Sequence, residues 1–172
     1  MILKDLPLAR LRFDMETLEA AQVPPYKGDM LRMALLWWLS DFWCTMPDRC
    51  RHGCRRPEVC MFGRLCEPPV DPAWPAKIRH LLGRNPPPAY ALWDLRDRRQ
   101  HLDVGTPWGF ELTLVGRLAL QQIPAIVAAV QRGAEQGMGR VQLRSRMQRV
   151  QAIGGPAGAP PAEQVLAARH DL

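Results

Sequence analysis

The stretch WGFELTLVGRL, residues 108–118, decides the fold class. Phe110, Leu112 and Leu114 alternate with Glu111 and Thr113, and a period of two is the signature of a strand with one buried face. Downstream, residues 119–136 place Ile123, Ile126, Val127 and Val130 at helical spacing, which predicts a long helix. Pro124 falls in its first turns, where the missing N–H is tolerated. Gly137-Met138-Gly139 breaks that helix, and residues 140–150 read as another strand. Upstream, AYALWDL (89–95) reads as a strand, joined to the opening stretch by a charged, turn-like segment at 96–105. Residues 6–15 (LPLARLRFDM) set Leu8, Leu11 and Phe13 against Arg10, Arg12 and Asp14, which predicts the first strand. The turn VPPYKGD (23–29) follows, and Asp29 can cap or open a helix over 30–43. That helix is apolar nearly all round, so it should be buried in the core, or in the core and against a partner.

The order is strand, helix, strand, strand, helix, strand. It predicts an α+β, ferredoxin-like (βαββαβ) fold, with two helices on one face of a four-stranded antiparallel sheet in the order 4-1-3-2. The other face is open, and open faces of such sheets serve many RNA binders. Residues 1–150 form this domain; GGPAGAPP (154–161) makes residues 151–172 a linker or disordered tail. Prolines punctuate residues 68–88, with a short helix expected over 76–82. The chain of 172 residues carries a net charge of +6, which favours a polyanionic partner, nucleic acid ahead of a membrane surface. Its longest apolar run, 33–39, is far short of the ~20 residues that span a bilayer, and no signal peptide is visible, so a cytoplasmic protein is expected.

All five cysteines fall in CTMPDRCRHGCRRPEVCMFGRLCEP, residues 44–68. Clustered thiols in a reducing compartment point to metal more than to disulfides. Cys44, Cys50, Cys54 and Cys60 offer the four thiolates of a closed tetrahedral zinc site, which would be structural because no position is left for water. His52 or Cys66 can replace one of the four; otherwise Cys66 is the thiol left outside. A flexible loop of adventitious thiols, or an iron–sulfur or redox role, are the competing readings. Zinc with four thiolates carries a net charge of −2 by addition of its formal charges, and Arg49, Arg51, His52, Arg55 and Arg56 would partly offset it.

The second informative stretch is GAEQGMGRVQLRSR, residues 133–146. Gly137 suits a helix terminus, and Gly137 with Gly139 would also let a phosphodiester approach the backbone closely. In an extended chain Arg140, Gln142, Arg144 and Arg146 share one face, with Val141 and Leu143 on the other. Arginines there, together with Lys27 in the first turn, are the candidate RNA contacts. A charged outer face that protects an edge strand is the competing reading. No catalytic constellation is evident: His52, His80, His101 and His170 are scattered, and no Walker loop, GxSxG or HExxH motif occurs.

The runs LPLARLRF (6–13), PPYKGDMLRMALLWWL (24–39), CMFGRLCEP (60–68), PPPAYAL (86–92), FELTLVGRL (110–118) and GAEQGMGR (133–140) together resemble the amino-terminal half of the CRISPR-associated RAMP-superfamily endoribonucleases that process precursor CRISPR RNA, in the branch with a four-cysteine insertion. The resemblance implies a CRISPR repeat RNA or crRNA as ligand. It also implies metal-independent cleavage through attack by a 2′-hydroxyl, if the chain is catalytic. Family members carry two ferredoxin-like domains, so it further implies a second such domain or other CRISPR-associated proteins as partners. Departures include Arg32-Met33-Ala34 where the family has Arg-Gly-Ala, and fewer glycines at 137–144. No catalytic residue carries over. Two other readings remain: a non-catalytic structural subunit of a CRISPR ribonucleoprotein, packing through its tryptophan-rich helix, and an unrelated zinc-stabilised nucleic-acid-binding module.

Overall fold

Strand β1 (Leu8–Thr17) is the longest described strand and lies between two partners, and its two faces organise the molecule. The computed structural model describes residues 7–44, 56, 59–68, 70, 73, 75–82, 87–153 and 165–167. Leu11, Phe13 and Met15 of β1 point inward and are almost wholly buried. They face Leu112, Phe110 and Trp108 of β5 (Pro107–Val115), in antiparallel register. The Phe13 and Phe110 rings stack with centroids 4.8 Å apart, a geometry that adds to their area burial. On the other side β1 pairs antiparallel with β6 (Ser145–Ala152), with a bulge between Asp14 and Met15. β3 (Tyr90–Trp93) completes the far side of β5.

With β7 (Val165–Ala167) the sheet order is β3-β5-β1-β6-β7, and all its pairings are antiparallel. Its first four members reproduce the expected 4-1-3-2 order, in a mixed α+β architecture compatible with a ferredoxin-like fold. β7 (Val165–Ala167) was not expected: it lies in the segment read as a linker or tail, and it pairs with β6 at Val150 and Gln151. A separate two-stranded sheet joins β2 (Ala21–Gln22) to β4 (His101–Leu102).

Helices α1 (Gly28–Trp43) and α5 (Ile123–Gln136) contribute Leu31, Leu35, Leu39, Ile126, Ala129 and Val130 to the core that meets the inner sheet face. The helix expected over 119–136 is divided into α4 (Arg117–Gln121) and α5, broken at Gln122. Pro124 sits at the first turn of α5, and its ring and missing N–H prevent one helix from running through. Short helices α2 (Met61–Cys66) and α3 (Ala76–Leu82) lie between α1 and β3 in the chain. α1 is buried along Leu31, Ala34, Leu35, Trp38 and Leu39, yet Met33, Trp37 and Phe42 remain exposed. Its all-round apolarity is therefore only half used by the described core.

α1 and α5 meet at Gly133, where an added Cβ would overlap the Trp38 indole. Replacing glycine by alanine inside a helix ordinarily stabilises by about 1 kcal/mol. Here the indole reverses the sign: Gly133→Ala should destabilise by about 1–3 kcal/mol in urea unfolding. In a Trp38→Leu background the same change should be much less harmful. A Gly133→Ala protein more stable than its parent would refute this packing.

Candidate nucleic-acid interface

Lys27 ends the turn that precedes α1, and its side chain is 1% exposed. A buried ammonium must find acceptors for its three N–H groups. Nζ donates to the carbonyl oxygens of Asp97 and Arg99, each at 2.7 Å, and lies 3.7 Å from the Asp97 carboxylate. Desolvation lowers the Lys27 pKa, against the pull of Asp97. Lys27 is thus no exposed phosphate contact, as its sequence context suggested. It is a corner post that fastens residues 94–99 to the start of α1.

Around that post the 94–99 loop is held closely. The Asp94 carboxylate accepts from the backbone N–H of Arg96 (3.0 Å) and of Lys27 (3.3 Å), and Arg98 donates to the Pro25 carbonyl. Arg99 grips Asp97 through Nε and Nη2, and Nη2 also donates to the Pro107 carbonyl at 2.8 Å. Leu95 and Arg96 both take left-handed backbone angles, φ 53° and 57°. Two consecutive non-glycine residues in that region are strained, and persist where surrounding bonds over-determine them.

The loop borders the face of the sheet that no described helix covers. Alternation along β1 sends Arg10, Arg12, Asp14 and Glu16 to this face, opposite Thr113, Glu111, Gly109 and Pro107 of β5. β6 adds Arg149 opposite Asp14 and Arg146 opposite Glu16. The carboxylates lie low and the guanidiniums stand high. Glu111 is 7% exposed beneath Arg10, which is 55% exposed and bonds to it through Nε at 2.7 Å. Asp14 is held by Arg12 at 2.9 Å and by Arg149 at 3.2 Å, both of them more exposed than it is. Asp94 is likewise covered by Arg98. The charges nearly cancel by count, but the outermost atoms are cationic. Trp93, at the end of β3, stands on this face 49% exposed, with the Arg96 guanidinium 5.3 Å from its ring centroid.

The basic strand expected over 140–150 is corrected by the structure. β6 begins at Ser145, and residues 138–143 form a tight loop closed by paired backbone bonds between Met138 and Leu143 at 3.1 Å. Met138 and Leu143 are both buried, and their pull inward turns the chain back on itself. Gly137 caps α5 at φ 107°, Gly139 lies at φ 64°, and Gln142 follows at φ 52°. A side chain at Gly139 would also crowd Met30 of α1, at 3.0 Å. Val141, expected to point inward, is 41% exposed. Arg140 therefore sits at the exposed loop tip. Arg144 is tied to the Glu135 carbonyl at 2.9 Å and the Glu19 carboxylate at 2.6 Å. Of the expected arginine row, only Arg146 reaches the open sheet face.

Of the cysteine set, Cys50 and Cys54 lie outside the described residues, as do Arg49, Arg51, His52 and Arg55. Cys44 follows the last turn of α1 and Cys60 is the N-cap residue of α2; both are half-buried. Among the described residues no group of three or more histidine, cysteine or acidic side chains is placed to hold a metal. Cys66 is buried in α2 against the core. His80 is exposed on α3, and His101 contacts Gln22 and Asp103 in the small sheet.

Arg99 holds the Asp97 carboxyl down to a pKa of about 2, from an ordinary 3.8. A depressed carboxyl contributes stability that is complete above the ordinary value and disappears as pH falls through the depressed one. Stability should therefore drop between about pH 4 and 2. Asp97→Asn should cost about 1 kcal/mol at pH 7 and flatten that acid limb, measured by urea midpoints across the range. An unchanged acid limb would remove Asp97 from this role.

No curated protein matches the chain. The family model AF_1859_N, described as an N-terminal domain, matches residues 6–171, which include the sheet, both long helices and β7, and the chain belongs to that family.

Proposed function

We propose that the chain is a ferredoxin-like RNA-binding domain of the CRISPR-associated, precursor-crRNA-processing type. The observation that carries the reading is the sheet face that no described helix covers, where Arg10, Arg12 and Arg149 rise above their carboxylate partners and Arg146 stands beside them. Outward guanidiniums offer forked donors to phosphate oxygens, while covered carboxylates hold them in place. The strand order β3-β5-β1-β6 supports the ferredoxin-like assignment. The resemblance supplies the ligand class, a CRISPR repeat RNA or crRNA, and cleavage by the RNA's own 2′-hydroxyl where the family cuts; no catalytic residue is assigned. The protein works in the cytoplasm in this reading, and no described helix is long and apolar enough to cross a membrane.

A structural zinc held by Cys44, Cys50, Cys54 and Cys60 is the second part of the proposal. Cys44 and Cys60 close the segment between α1 and α2 at its two ends, which is where a metal would staple an insertion to both helices. A second functional reading draws on α1. Trp37, 56% exposed, with Met33 and Phe42, suits a structural subunit that packs on other CRISPR-associated proteins.

Fluorescence anisotropy with a labelled single-stranded repeat RNA tests the main reading. Binding should weaken steeply with salt, and Arg146→Ala should lower the salt slope by about 1. Arg144→Ala should do less, because its guanidinium is already engaged. Salt-independent binding, or none, would end the RNA assignment. Elemental analysis of metal-replete protein should give about one zinc per chain, lost in Cys44→Ser and Cys60→Ser together with several degrees of thermal midpoint. Substoichiometric zinc would reject the metal site.

A further inference from the structure

The register places Trp93, Glu111, Arg12 and Gln151 in one row across four strands of the open face. Two residues along β5 from Glu111, on the same face, lies Gly109. No side chain fits there, because a Cβ would stand 2.6 Å from the Phe13 carbonyl oxygen. The missing side chain floors a cleft of about 410 Å³ walled by Arg12, Asp14, Glu16, Leu95, Arg99 and Gln148. Two irregularities shape it. The left-handed pair Leu95-Arg96 turns one wall over the sheet, and the β1–β6 bulge skips Gln148 out of register at the other side. Strained backbone and bulges held in place by a bonded frame are features of ligand sites.

The cleft's chemistry discriminates among ligands. Its wall mixes cationic donors, carboxylate acceptors and an amide that is both. A phosphate inside would meet Asp14 and Glu16 as well as the arginines. A nucleobase edge, neutral and carrying donors and acceptors side by side, matches the mixture. Beside the cleft stands the half-exposed indole of Trp93, with the Arg96 cation at its ring. Arg146 and Arg149 lie across the face on β6, where a backbone can be met.

We propose that Trp93 and the Gly109-floored cleft form a nucleobase site, in which one unpaired base of a single-stranded RNA stacks on the indole and the next turns its edge into the cleft among Arg12, Asp14 and Gln148. This rests on the RNA-binding reading and adds to it a place and a strand state. The RNA backbone then runs over β6, with its phosphates facing Arg146 and Arg149.

The test uses the full chain and fluorescein-labelled single-stranded oligo-U, oligo-A and oligo-C RNAs, with a duplex of matched length. Trp93→Ala should weaken single-strand binding about tenfold or more while leaving the salt slope unchanged, because stacking releases no counterions. Trp93→Phe should recover most of the loss. Gln148→Ala should alter the ranking among the three homopolymers. Ultraviolet crosslinking of unmodified protein to a thiouridine-substituted RNA should yield a crosslinked peptide containing Trp93, an outcome that needs no variant to fold. If Trp93→Ala binds like the parent while Arg146→Ala does not, the base site falls and the RNA reading stands. Crosslinks confined to residues 137–146 would overturn the site in the same way. Duplex bound as tightly as single strand would also overturn it. If the parent protein binds none of these RNAs, both fall.

Discussion

Strand β1 has a hydrogen-bonded neighbour along both edges, and most of the structure follows from that confinement. With both edges used, only its two faces can interact further. One face carries Leu11, Phe13 and Met15, and it requires an apolar cover, which α1 and α5 provide. The other carries Arg10, Arg12, Asp14 and Glu16, and needs none. The polarity of the molecule, helices behind and charges in front, is thus set by a ten-residue segment. Its partners comply: β5 sends Phe110 and Leu112 behind and Glu111 to the front.

The front is furnished by a loop that would not hold its shape alone. Residues 94–99 contain two aspartates, three arginines and a strained pair of backbone angles. Lys27 supplies the missing order by spending a buried cation on two of the loop's carbonyls. Desolvating an ammonium is unfavourable, and it is offset here by the two carbonyl hydrogen bonds and a nearby carboxylate. The start of α1 and the wall of the cleft are therefore one mechanical unit. Helix and loop share a fastening, although 70 residues of chain separate Lys27 from Asp97.

How much of this was legible in the sequence depends on the range of the interactions. Alternation in residues 108–115 and 8–15 is local, so strands and their inward residues could be read directly. The strand order could be anticipated because the sequence of elements allows few others. The loop at 138–143 misled, since VQLR alternates as a strand would. What overrides the pattern is tertiary: Met138 and Leu143 both enter the core, and glycines at 137 and 139 permit the reversal. Lys27 misled for the opposite reason, because a lysine in a polar turn gives no sign of carbonyls contributed from residues 97 and 99. Trp93 carried a readable signal that lay unused. In YALW, Tyr90 and Leu92 share the inner face, which leaves an indole on the wet side.

The left-handed turn at Leu95 and Arg96 has a second effect, on the sheet's margin. β3 ends after four residues, where Asp94 begins that turn, and among the described residues it pairs only with β5. A margin this short offers another chain little template for adding a strand, and Arg96 and Arg98 place charge just past its end. The opposite margin is occupied by β7. The backbone strain that frames the cleft therefore also limits edge-to-edge association, the ordinary hazard of a sheet with unpaired margins.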